Sequence, residues 1–391
     1  MSGRIDARFT EGAHRSAPPA ETMRRIEPHL MAMGITRVAD VTGLDRLGIP
    51  TWCAVRPDAL QVQISNGKGI THSAAKVSAL MEAVEHWHAE NPPGDFLPAS
   101  SAELARQGQA AVPPQALPTY QPGLHLTDQR ILHWVRGESL PHQTSVWLPA
   151  CAAFLSDPQL IMHSTNGLAS GNHPVEATLH ALYEVIERDA VTRLSRGGLS
   201  LPCGQSRVVN LDTLPRGPIA DLRDQIRAAG VSLHLIRVES IAPVATFWAV
   251  LTDPTSPFAC SKINMGHGSH LSGVVAAARA ITEAAQSRLT FIHGAREDLA
   301  ADSYTFTGAH ERLLQFFRRQ RGELDWSEIT ESASGDLSAD LDCVLAGLRE
   351  AGYGRCYRID LTTPRFAIPV VKVIVPGLEY MAGFLARHHD L

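Results

Sequence analysis

The sequence predicts a mixed α+β fold with largely antiparallel sheets. Three observations carry that prediction. Helical periodicity is plain in several stretches, most clearly after Pro174, where Val175, Leu179, Leu182 and Ile186 form one apolar stripe. Between such stretches lie short strand-like runs bounded by turn residues, without the regular strand–helix alternation of a doubly wound fold or a barrel. Near the end, Ile368–Val375 is almost wholly apolar, as a central strand would be.

Taken in order, residues 1–20 read as a polar, extended arm, and Ala20–Met33 as a helix stopped by Gly34. Ile35–Pro50 suggests a short strand and a turn. Thr51–Val55 and Gln61–Ser65 read as strands, the second running into a glycine-rich turn, Ser65-Asn66-Gly67-Lys68-Gly69, before a helix over Ser73–Glu90. Residues 91–143 are rich in Pro, Ala and Gln and read as surface loop with a helix near Ser101–Gln107. Strands follow at Ile131–Glu138 and Val146–Phe154. A second Gly/Asn-rich turn (Asn166, Gly167, Gly171, Asn172) then opens the helix at Pro174, where the missing N–H costs nothing.

Beyond Arg196, a helix over Asp221–Ala229 is followed by strands at Val231–Glu239, Val244–Thr252 and Phe258–Asn264. A third glycine turn, Gly266-His267-Gly268, leads into another helix. Ala309–Gln320 and Leu337–Glu350 are helical, Tyr353–Ile359 and Ile368–Val375 strands, and the tail closes on Arg387-His-His-Asp-Leu391. Residues 1–55 are expected to form an arm and helix contributing to a site, and 56–391 one integrated catalytic unit.

Composition narrows the function. With 44% hydrophobic residues, the 391-residue chain can bury a large core. A net charge of −5 argues against a nucleic-acid partner. The six cysteines form no C-x-x-C pair, so neither a zinc ribbon nor a disulfide scaffold is indicated. No segment reads as a signal or a membrane span, so no membrane partner is expected and the expected compartment is the cytoplasm.

The chemistry lies in a pattern that occurs three times, at spacings of about a hundred residues, too far apart for a solenoid. Ala79-Leu-Met-Glu82-Ala-Val-Glu85 aligns with Ala181-Leu-Tyr-Glu184-Val-Ile-Glu187 and with Ala280-Ile-Thr-Glu283-Ala-Ala-Gln286. In the middle copy Glu176, His180, Glu184 and Glu187 share a helix face. Two carboxylates at ~4 Å and an effective dielectric near ~20 repel by roughly 4 kcal/mol. Each stripe alone could be a solvated surface; recurrence after the same kind of turn points to three helices meeting at a cation.

Two cation chemistries fit carboxylate-bearing helices. A di-iron or di-manganese centre needs two E-x-x-H motifs, and only Glu85-His-Trp-His88 supplies one. Mg²⁺ with a nucleotide fits better, because Arg188, Arg279 and Arg288 lie on or beside the glutamate faces to meet phosphate.

These blocks resemble the YcaO family, ATP-using enzymes that modify peptide backbone amides. The matching stretches are SNGKG with SALMEAVEH, STNGLASGN with HALYEVIERDA, GHGSHLSGVVAAARAITEAAQSRLT, VADVTGLDRLGIPTW and VIVPGLE, which together extend over nearly the whole chain. The resemblance implies a YcaO-type fold in which three related helices line a central nucleotide pocket. It implies ATP and Mg²⁺ as cofactors, with Glu82, Glu85, Glu184, Glu187 and Glu176 as metal ligands. Nucleotide contacts would come from Arg15, Thr22, Ser78, Asn172, His180, Arg188, Gln286 and Arg288, with Arg188 and Arg288 stabilising phosphate. It names no catalytic base. His86 stands where the family usually has Arg, and His180 where Gln is common.

The implied reaction has a nucleophile add to a peptide carbonyl, whose oxygen then takes the γ-phosphoryl group. External sulfide would give a thioamide, with a TfuA-like partner protein; an internal Cys, Ser or Thr of the substrate would give an azoline. The chain ends without the Pro-rich tail of azoline-forming members, which favours the thioamide. A nucleotide-binding scaffold in a peptide-modification complex is the non-enzymatic alternative, and a homodimer is compatible with the family.

Overall fold

The structure is a computed structural model and describes residues 3–92, 94, 96–118, 126–140, 142–155, 164–195, 206–297, 299, 304–305 and 307–380. The expected tail at Arg387–Leu391 and parts of the 91–143 loop lie outside the described residues. In chain order the elements are α1 (Pro19–Ile26), β1 (Arg37–Asp40), β2 (Thr51–Val55), β3 (Ile64–Lys68), α2 (His72–Glu90), β4 (Leu97–Ser100), α3 (Ser101–Arg106), β5 (Ile131–Ser139), β6 (Thr144–Pro149), β7 (Leu168–Ser170) and α4 (Pro174–Ser195). They continue with β8 (Arg207–Val208), α5 (Pro218–Ala228), β9 (Ser232–Val238), β10 (Ala245–Thr252), β11 (Ile263–His270), α6 (Gly273–His293), α7 (Gly308–Arg319), α8 (Leu337–Glu350), β12 (Tyr357–Asp360) and β13 (Val370–Ile374). Among the described residues these strands pair antiparallel, and only the isolated bridges Ala111–Trp147 and Val209–Leu324 are parallel.

The chain packs as two compact units: Met1–Arg4, Val84–Arg193 and Leu337–Leu391 in one, Ile5–Ala83 and Leu194–Asp336 in the other. The first is built on one sheet, ordered β4-β5-β12-β13-β7, with β6 added on β5. The apolar run that read as a central strand is β13, interior to the sheet with all five residues buried. Arg358 on β12 donates to Thr178 Oγ1 on α4 at 3.1 Å and to Glu138 on β5 at 2.6 Å, tying helix to sheet.

The second unit holds two sheets, β1-β2-β3 and β11-β10-β9-β8. Its core joins α5 and α6 to the latter through Ile219, Ile226, Leu235, Phe247 and Ile281, all fully buried, with Phe247 stacked on Trp326 at 5.6 Å.

Four expectations are corrected. The helix expected to reach Met33 stops at Ile26 and continues as 3₁₀ turns, because Pro28 cannot donate within the ladder. The N-terminal arm is not extended: Phe9 and Arg15 exchange backbone hydrogen bonds at 3.0 and 2.9 Å around Gly12. Strand β11 begins at Ile263 after a 3₁₀ turn at Ala259–Ser261, five residues later than expected. Two of the three glycine clusters are strand and not turn: Gly67 lies inside β3 and Gly266 and Gly268 inside β11, whereas Asn166-Gly167 is the expected turn, with a φ of +79° at Gly167, just ahead of β7.

The glycines serve contact. A Cβ on Gly67 would lie 2.0 Å from the Ala79 nitrogen and 2.3 Å from the Ala75 oxygen; one on Gly266 would lie 2.2 Å from the Ala284 nitrogen and 2.4 Å from the Ala280 oxygen. So the alanine that heads the repeated pattern meets the glycine of the preceding strand, backbone against backbone. Gly266→Ala is therefore expected to cost ~1–3 kcal/mol or more, since the clash is with backbone that cannot rotate away. A lowered urea midpoint would register this; an unchanged one would mean the strand and helix can separate freely.

Candidate nucleotide and magnesium site

In the first unit, α4 carries most of the predicted residues. The repeated pattern buries Ala181, Leu182, Val185 and Ile186, which leaves Glu184 at the margin. Glu176, 3% exposed, accepts from the Asn172 backbone N–H and side-chain Nδ2 at 3.2 and 3.3 Å, so these two predicted residues hold each other at the helix entry. His180 is half-buried on the same helix.

Glu184 has an exposed fraction of 24% and faces the Arg188 guanidinium at 4.0 Å. Burial raises its carboxyl pKa and Glu187 pushes it further up, while Arg188 and Lys372 oppose the rise. Glu187 is different. It is 4% exposed and has no hydrogen-bond or ion-pair partner among the described residues. A carboxylate so placed has oxygens to offer a cation from outside the chain.

Helix α2 presents Ser78, Glu82 and Glu85 at helical spacing, all half-buried. Glu85 Oε1 accepts from both the Ser170 N–H and hydroxyl, at 2.7 and 2.6 Å, so β7 aims this carboxylate. His88, from the lone E-x-x-H, is fully buried; its Nδ1 donates to the Val84 carbonyl at 2.8 Å and its ring packs edge-on to Trp87. It is a core residue, which removes the di-iron ligand set.

In the second unit, the loop closed by Phe9 and Arg15 places His14 against His270, ring centroids 4.9 Å apart. Burial, then the charges of His14, Arg279 and Arg15, hold the His270 pKa well below the usual imidazole value. Arg15 and Arg279 thus bring guanidinium charge near a His270 that stays neutral. Thr22 is buried and its hydroxyl donates to Pro18 O at 3.4 Å. Gln286 Nε2 donates to the Asn66 carbonyl at 2.8 Å, tying α6 to β3. Lys68 pairs with Glu283, the third helix's glutamate.

Arg288 stands apart from its expected role. It is 3% exposed, its Nε donates to Asp45 at 2.9 Å and one terminal nitrogen to Asp253 at 3.1 Å, with Ser261 O taking the other. The guanidinium is enclosed by its own carboxylates. Sequence reasoning also missed Lys372, 5% exposed in β13 with its ammonium on the Ser164 carbonyl and its pKa pushed down to about 8 by burial. A lysine in an otherwise apolar strand was the available signal.

Among the described residues no three His, Cys, Asp or Glu side chains lie close enough to enclose a metal by themselves. Mg²⁺ does not require that: it takes one or two carboxylates and completes its shell with phosphate and water. Within the first unit the donors Glu85, Glu176, Glu184 and Glu187 are hard carboxylate oxygens, of the kind Mg²⁺ takes.

The sequence model of a family described as YcaO cyclodehydratase, ATP- and Mg²⁺-binding, matches residues 66–379, and the chain belongs to that family. Its cofactors are ATP and Mg²⁺. It is 36% identical to an uncharacterized protein of Methanothermobacter thermautotrophicus, over 92% of this chain and 94% of that one. It is 32% identical to an uncharacterized protein in the tfuA 3′ region of Rhizobium leguminosarum bv. trifolii, over 96% and 91% of the two chains. Its structure matches that of YcaO from Methanopyrus kandleri bound with AMPPCP and Mg²⁺, with a TM-score of 0.77 and 23% identity over 99% of this chain and 97% of that one. The expected mixed α+β, YcaO-type fold is thereby shown. No described helix is long and apolar enough to cross a membrane.

Proposed function

We propose that the chain uses ATP and Mg²⁺ to phosphorylate the carbonyl oxygen of a peptide backbone amide, and that the product is a thioamide in a ribosomally made peptide or protein. The observation that carries the metal assignment is Glu187, a buried carboxylate without a described partner, one turn from Glu184. Glu82, Glu85, Glu184 and Glu187 are the proposed Mg²⁺ ligands, with Glu176 beside them. Arg15, Thr22, Ser78, Asn172, His180 and Gln286 are proposed to contact the nucleotide. Arg188, 41% exposed, can leave Glu184 for phosphate; the enclosed Arg288 is not retained in that role.

Hydrosulfide adds to the amide carbon and forms the C–S bond, and the carbonyl oxygen takes the γ-phosphoryl group as the bond to ADP breaks. The C–O bond then breaks and inorganic phosphate leaves with the hydrosulfide proton, giving C=S. Bound Mg²⁺ would offset charge on the phosphoryl oxygens, and Arg188 would add to that electrostatic stabilisation. What favours sulfide is the similarity to the protein of the tfuA 3′ region, which also supports a TfuA-like partner. The second reading, an azoline-forming cyclodehydratase, rests on the family's own description.

The test gives purified chain Mg²⁺·ATP, a sulfide source, a TfuA-like partner and a candidate peptide. The expected peptide product gains about 16 Da with one ADP per event. A loss of about 18 Da would replace the thioamide by the azoline. Nucleotide binding without peptide-dependent ADP release would leave the scaffold.

A further inference from the structure

We infer that a small cavity in the first unit, between Lys372 and Asn166, is the seat of the hydrosulfide nucleophile. The inference rests on the thioamide reading above and adds to it a site for the sulfur donor.

The cavity has a volume of about 30 Å³. That is room for one or two water-sized molecules. Its polar lining is Lys372, Asn166 and Ser164, and its apolar lining includes Val185, Val375 and Leu378. Lys372 is an ammonium nine-tenths buried in the interior of a sheet, where a charge is retained only with a partner. One of its protons goes to the Ser164 carbonyl, which leaves donors to spare. Asn166 contributes the opposite demand. Its Oδ1 is buried and accepts no hydrogen bond from any described residue, while its backbone N–H is taken by Ser164 Oγ at 3.0 Å.

The complement of that lining is a small species that accepts from an ammonium and donates to an amide oxygen. Water and hydrosulfide both qualify; halide cannot donate. The remaining walls decide between them. Water would find polar partners enough there, so the preference rests on the larger, more polarisable sulfur losing less than water does by facing Val185, Val375 and Leu378. The carboxylate that acts on the ammonium is Glu184, next to Val185 in the chain and a proposed Mg²⁺ ligand. A metal sharing that carboxylate would leave the ammonium's charge open to a second anion.

Two measurements test this. Crystals of the Mg²⁺·AMPPCP complex, soaked with sodium hydroselenide and measured at the selenium edge, should show an anomalous peak between Lys372 Nζ and Asn166 Oδ1. The peak should vanish in Asn166→Ala and in Lys372→Met. In turnover, Asn166→Ala should raise the KM for sulfide about tenfold and leave the KM for ATP within twofold. A cavity holding only water after the soak overturns the inference whatever product the enzyme makes. A wild-type enzyme that forms thioamide, with an Asn166→Ala sulfide KM unchanged, overturns it while the thioamide reading stands. Should the peak be present but the product be an azoline, the cavity binds hydrosulfide without supplying a nucleophile, and the inference falls together with the thioamide reading.

Discussion

Glu187→Gln should lower ATP turnover about a hundredfold or more and, in the same protein, raise the melting temperature of the nucleotide-free form. The two effects have one cause. Glu187 is 4% exposed, lacks a described hydrogen-bonding or ion-pairing partner, and acts on Glu184 one turn away with the same sign of charge. Without a metal that charge is a cost to the fold, since a buried carboxylate is stabilised only by partners. Glutamine keeps the shape and removes the charge, so the free protein gains stability and loses a ligand. Glu184→Gln separates this from a general effect of the substitution. Glu184 answers Arg188 and the buried Lys372, so its removal leaves an ammonium unpaired and should lower the melting temperature while also lowering turnover. Opposite signs in the melting experiment, with the same sign in turnover, are the expected pattern. Added Mg²⁺ and ATP should then stabilise the wild type more than either variant, because stabilisation by a ligand follows its affinity for the folded form. An undiminished turnover in Glu187→Gln would remove it from the metal set.

Much of this arrangement was legible in the sequence because side-chain periodicity survives folding. The α2 and α4 boundaries, the interior position of β13 and the burial of Ala181, Leu182, Val185 and Ile186 follow from where apolar residues recur. What misled was glycine. Gly67 and Gly266 read as turn formers, yet they sit in strands because a helix backbone approaches to a distance that no Cβ permits. Local sequence cannot distinguish a glycine needed for its dihedral freedom from one needed for its absent side chain; the alanine spacing of the following helix, repeated in α2 and α6, was the usable sign. The partners of charged residues were equally out of reach. Ser170 against Glu85 and Asp45 against Arg288 join positions 85 and 243 residues apart, and only the fold brings them together.

The Arg288 network makes the other large prediction. Asp45, Asp253 and Arg288 side chains are 4%, 1% and 4% exposed, and Arg46 adds a second cation to Asp253 at 2.8 Å. Arg288→Met would leave two buried carboxylates facing each other across the vacated position, at a cost of roughly 3–5 kcal/mol. Arg288→Lys should recover little of it, because an ammonium cannot reach two carboxylates and a carbonyl in the planar fork that guanidinium provides. The triple variant Arg288→Met, Asp45→Asn, Asp253→Asn carries no buried charge from this group and should regain most of the loss, as replaced ion clusters do when the remaining volume packs. It also decides between the two roles that arginine could have. If Arg288 holds the fold, the triple variant should bind ATP with a KM within a few-fold of the wild type. If it holds phosphate, the triple variant should be stable and yet lose turnover as severely as Arg188→Met, since what a phosphoryl transition state needs from a guanidinium cannot be restored by neutralising the carboxylates around it.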